Sequence, residues 1–86
     1  MIPKTFNLVG VRWRVKKVKD LSELGRCDPA TFTIYIKDGL LPAYEEQTFY
    51  HELVHSIMFA MGKSDHNEEF VEAFGALLHQ FTRSQK

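Results

Sequence analysis

The chain has 86 residues, 44% hydrophobic and 26% charged, a composition that fits one globular domain spanning 1–86 and excludes a disordered segment. Its single cysteine, Cys27, excludes an intrachain disulfide, and no apolar run reaches the length of a membrane span. Lys+Arg and Asp+Glu balance at 11 each, yet residues 1–37 hold eight basic against three acidic side chains and residues 38–86 hold three against eight. Met1–Thr5 lacks the apolar core of a signal peptide, so the expectation is a cytoplasmic protein with no membrane partner.

Val9, Val11, Trp13 and Val15 alternate with Gly10, Arg12, Arg14 and Lys16, the period of a strand with one buried face. Residues 22–29 carry turn chemistry with room for a short middle strand. Phe32, Ile34 and Ile36 alternate with Thr31, Thr33, Tyr35 and Lys37 in a further strand, which Asp38-Gly39 stops. Beyond Pro42 the period becomes helical. Tyr50, Leu53, Val54, Ile57, Met58 and Met61 recur along 43–61, and Gly62 suits a C-terminal cap. Ser64 or Asp65 is suited to cap a second helix, whose stripe is Phe70, Val71, Phe74, Leu77, Leu78 and Phe81. The short connection predicts an antiparallel helix hairpin. The fold class is therefore α+β: a small antiparallel β-sheet followed by a two-helix hairpin.

The first helix contains His51-Glu52-Leu53-Val54-His55, an H-E-x-x-H sequence. Four residues at about 100° each return His55 to the face of His51, so both imidazoles reach one ion at the roughly 2.0–2.1 Å of a zinc–nitrogen bond. Glu52, offset by one position, flanks the ion and is placed to take a proton from metal-activated water. A catalytic zinc usually has three protein ligands; the candidates for the third are His66, His79 and the acids Glu68, Glu69 and Glu72, and the hairpin makes an early second-helix residue geometrically natural. Glu68 and Glu72 share one face, whereas Glu69 points about 100° away. His79 lies roughly 16 Å along the axis from Glu68, too far for a shared site. His66 falls in the interhelix loop or first turn and reads as solvent-facing. Cys27 reads as an ordinary turn thiol, and Tyr44, Tyr50 and His66 are equal candidates to assist a developing oxyanion.

Asn67-Glu68-Glu69-Phe70-Val71-Glu72-Ala73-Phe74-Gly75 resembles the second-helix pattern of thermolysin-like gluzincins, and also the E-x-x-A-N-x-F-A pattern of ImmA/IrrE-type metallopeptidases. With the H-E-x-x-H helix and the strand before it, residues 30–81 look like small phage-encoded zincins. The resemblance implies Glu68 as third ligand beside His51 and His55, and Glu72 as an outer carboxylate steadying a metal-bound imidazole. It implies one Zn2+ ion and hydrolysis of a peptide or protein substrate, in a phage or prophage setting a regulatory protein. In zincins the substrate lies along an edge strand, and Thr31–Lys37 is the strand nearest the motif in sequence. The chain departs from these patterns in a shorter interval from His55 to Glu68. Glu72 also stands where the families carry aspartate or asparagine, which leaves Glu69 and Glu72 as alternative ligands.

Two other functions compete with a metallopeptidase. One is a catalytically inactive, zinc-stapled protein-binding module on the same shell. The other is a nucleic-acid binder using Arg12, Arg14, Lys16, Lys17 and Lys19. No nucleic-acid-binding motif accompanies that stripe, so it reads as a solvated strand face and nucleic acid is not the expected partner.

Overall fold

A computed structural model describes residues 1–85. Its elements are β1 (Thr5–Leu8), β2 (Val11–Val18), β3 (Gly25–Asp28), β4 (Thr33–Lys37), α1 (Pro42–Ala60) and α2 (Glu68–Arg83). The fold is α+β, a four-stranded sheet in the order β1-β2-β4-β3 followed by two helices.

The sheet is mixed, which corrects the expected antiparallel one. β1 with β2 and β3 with β4 pair antiparallel, but β2 and β4 run parallel, with Val15 opposite Ile34 and Lys17 opposite Ile36. The physical reason lies in what each strand must bury. Ile34 and Ile36 are fully buried and Thr33 nearly so, so β4 belongs in the middle of the sheet. The more polar Gly-Arg-Cys-Asp of β3 takes the outer edge and hairpins back onto β4. The strand at 33–37 is consequently not the edge available to a substrate; β3 is.

The strand expected from Val9 begins only at Val11, as β2, and a strand that the alternation does not predict, β1, precedes it. Val9 and Gly10 both have positive φ (51° and 76°), the signature of a type I′ hairpin turn. They reverse the chain between β1 and β2 and leave Val9 86% exposed. Phe32 likewise drops out of its stripe. It has φ 51°, stands just before β4, and sets its ring edge-on to Trp13 at 5.5 Å. Trp13, Ile34, Ile36 and Phe49 form the buried core, with Phe6 and Leu53 packed against it. Arg12, Arg14 and Lys16 all point to solvent.

Pro42 opens α1 at its first turn, where a missing N–H costs nothing. The helix closes on a Schellman turn. Gly62 (φ 83°) donates to Phe59 O and Lys63 N–H donates to Met58 O, each at 2.9 Å. The cap of α2 is Asn67, not Ser64 or Asp65; its Oδ1 accepts from Phe70 N at 2.9 Å, with Glu68 and Glu69 in the first turn.

The packing of α2 differs from the expected inward apolar stripe. Val71, Gly75 and His79 are its buried residues, while Phe70, Phe74, Leu77 and Phe81 are exposed. Gly75 decides this orientation. A Cβ there would lie 3.2 Å from His51 Cα and 3.3 Å from Tyr50 O, so the bare backbone lets α2 settle onto α1 along its narrow face. His79 completes the contact, stacking on Tyr50 and meeting Glu46 Oε1 at 3.0 Å.

Gly75→Leu is expected to force the helices apart and lower unfolding free energy by roughly 2–3 kcal/mol in urea titration. An unchanged midpoint would contradict this account of the helix contact.

Candidate metal centre

The helical spacing of His51 and His55 and the hairpin contact at Gly75 together converge three side chains. His51 Nε2 lies 3.4 Å from Glu68 Oε1, and His55 Nε2 lies 3.4 Å from Glu68 Oε2. Ligand atoms of His51, His55 and Glu68 all fall within 4.8 Å of one another. Two atoms each about 2.1 Å from a tetrahedral zinc stand about 3.4 Å apart, so both histidine–carboxylate separations fit the edge of such a coordination sphere. Imidazole, imidazole and carboxylate are ligands a zinc ion accepts.

Burial favours the ligating form of His55. Burial lowers the His55 pKa, and nearby His51 and His66 push the same way against the opposing pull of Glu68. A neutral imidazole is the form that binds a cation. Glu68 is exposed at the start of α2, open to solvent on its outer side.

Glu72 stands beside the centre, its Oε2 3.6 Å from His51 Nδ1, longer than a hydrogen bond. Glu69 is exposed and outside the three-residue group. His79 belongs to the helix contact. Cys27 is half-buried on β3 with Sγ 3.5 Å from Ser56 Oγ, and burial pushes its thiol up to about 11. It therefore stays a neutral thiol and a weak ligand. Tyr50 packs against Phe49 and His79, whereas Tyr44 is exposed at the cavity beside His51.

Glu52, next to the group, is the unusual residue. It is only 8% exposed, and burial raises its pKa to about 7, with the charges of Glu68 and Glu23 adding to the shift. A carboxylate with that value is poised between accepting and releasing a proton near neutrality.

Two residues gain importance that their sequence context did not suggest. Gly25 reads as a turn glycine, yet it begins β3, and a Cβ there would lie 2.6 Å from Thr48 Cγ2 and 3.0 Å from Glu52 Cγ. Its missing side chain lets the edge strand close over Glu52. A glycine beside a short strand was the available signal of close backbone approach. His66 is half-buried and not solvent-facing: its Nδ1 lies 2.6 Å from His55 Nδ1, and its ring packs on Phe59.

Two open cavities flank Glu52, both bordered by Gly25 and His51. One of about 420 Å³ also meets Leu24, Tyr44 and Thr48 and is largely apolar; the other, about 620 Å³, runs past His55 to Glu68. Both open beside the motif helix at Gly25, and the second also meets Arg26 and Cys27 of β3.

Among the described residues, no helix is long and apolar enough to cross a membrane. No family model, curated protein or solved structure matches this chain.

The Glu52 carboxyl links stability to pH. Below about 4.5 it is protonated whether the chain is folded or not; between there and about 7 only the folded state keeps the proton. Stability is therefore lost as pH rises from about 4.5 to about 7 and stays lost above that, by as much as about 3 kcal/mol. In chelator, Glu52→Gln is expected to exceed the parent in stability at pH 8 and to match it near pH 4, read by urea titration. Equal stabilities at pH 8 would contradict the buried placement of this carboxylate.

Proposed function

We propose that the chain is a zinc-dependent metallopeptidase of the H-E-x-x-H type. The observation that carries this reading is the pair of 3.4 Å separations from Glu68 to His51 and His55, beside a buried carboxylate raised to about 7. His51 Nε2, His55 Nε2 and the Glu68 carboxylate are the residues that would hold the ion. Bound zinc would supply Lewis-acid polarisation of water and of the scissile carbonyl.

The remaining work falls to the protein's own groups. The Glu52 carboxylate takes a proton from the attacking water as its oxygen bonds to the carbonyl carbon. It then returns that proton to the amine nitrogen as the C–N bond breaks, and Glu52 ends ionised as it began. Its burial beneath β3 protects that transfer from bulk water. The outer edge of β3 offers unpaired backbone groups to an extended peptide, and the cavity at Leu24, Tyr44 and Thr48 offers an apolar recess for one of its side chains. Tyr44, at the rim, is the tyrosine placed to meet the substrate.

Zinc content and cleavage of a mixed peptide library test the reading. One zinc per chain is expected in both the parent and Glu52→Gln, with cleavage at least about 100-fold slower in the variant. Chelator is expected to abolish parental cleavage and added zinc to restore it. Undiminished cleavage by Glu52→Gln would overturn the role of Glu52. Full zinc content without cleavage of any peptide would favour the zinc-stapled binding module instead.

A further inference from the structure

His55 and His66 meet head-on. Their Nδ1 atoms are 2.6 Å apart, the ring centroids 4.9 Å apart and the planes within 19°, so the rings lie edge to edge and almost coplanar. In that alignment one nitrogen must carry the hydrogen and the other must offer its lone pair. The far side of His66 decides which. Its Nε2 lies 2.7 Å from Lys63 O, and a carbonyl oxygen only accepts. His66 therefore donates through Nε2–H, and in the neutral form of the ring, the form the test at pH 8 addresses, Nδ1 is left bare. His55 must then donate through Nδ1–H, which leaves its Nε2 with a free lone pair, on the side where Glu68 stands at 3.4 Å.

We propose that His66 is a positioning residue that holds His55 in its Nδ1–H tautomer, with Nε2 open toward the metal centre. The order originates in the backbone. The Schellman turn at Gly62 ties Lys63 N–H to Met58 O, which anchors the residue whose carbonyl, in the next peptide group, orients His66. Phe59, packed on the His66 ring with centroids 4.4 Å apart, holds it in the plane of His55. An imidazole thus takes the place that a carboxylate or backbone carbonyl commonly fills behind a metal-binding histidine. The purpose of this arrangement rests on the metallopeptidase reading; the tautomer itself does not.

Nitrogen-15 correlation spectra of the histidine rings, recorded on metal-free parent at pH 8, read the tautomer directly. His55 is expected as Nδ1–H and His66 as Nε2–H. His66→Phe keeps a ring against Phe59 but removes the acceptor, and is expected to release His55 into a mixture of tautomers. By chelator competition it is expected to bind zinc 10- to 100-fold more weakly than the parent. His66→Asn, which returns an acceptor oxygen near the position of Nδ1, is expected to recover most of that loss. His55 found as Nε2–H in the parent would overturn the proposal, as would parental zinc affinity in His66→Phe. A parent that binds no zinc would remove the metallopeptidase reading, while the metal-free spectra would still decide the part played by His66.

Discussion

Gly75 brings two helix backbones close enough that the first turn of α2 reaches across the motif face of α1. Its position beside His51 Cα and Tyr50 O leaves no room for a side chain between the helices. Glu68 lies seven residues earlier, almost two full turns, and therefore shares the Gly75 face roughly 10 Å along the axis. The helices run antiparallel, so His55 is displaced from His51 in that same direction. The carboxylate is consequently delivered to both imidazoles by the geometry of one contact.

A second close approach closes the other side. Gly25 lets the edge strand descend onto Thr48 and Glu52, and the carboxylate beneath it loses water. Burial then raises its pKa into the range useful for proton transfer at neutral pH. The two glycines thus frame the candidate centre, one admitting the helix that carries Glu68 and one covering Glu52. The apolar layer of Trp13, Ile34, Ile36 and Phe49 makes a firm floor for α1, which helps to hold the histidines in register.

The parts of this arrangement that depend on local spacing were readable from the chain. Helical periodicity placed His51, Glu52 and His55 on one helix, and the interval to Glu68 allowed a hairpin to return it. The parallel pairing of β2 with β4 was not readable, because it is chosen by competition between strands for the central position. Alternation could not show that Val9 turns a corner or that Phe32 precedes its strand, since both depend on positive φ at residues that seldom adopt it. The apolar stripe of α2 exists, but periodicity does not say which face is covered; the close contact at Gly75 does. The place of His66 depends on the loop that leaves the Schellman turn, beyond the reach of pattern alone.

The most direct measurement is a crystal structure of the zinc-loaded protein with diffraction recorded on both sides of the zinc absorption edge. The account predicts a single anomalous peak about 2.0–2.2 Å from His51 Nε2, His55 Nε2 and a Glu68 carboxylate oxygen. Diverging imidazoles with no peak between them, or a peak held by other side chains, would contradict it.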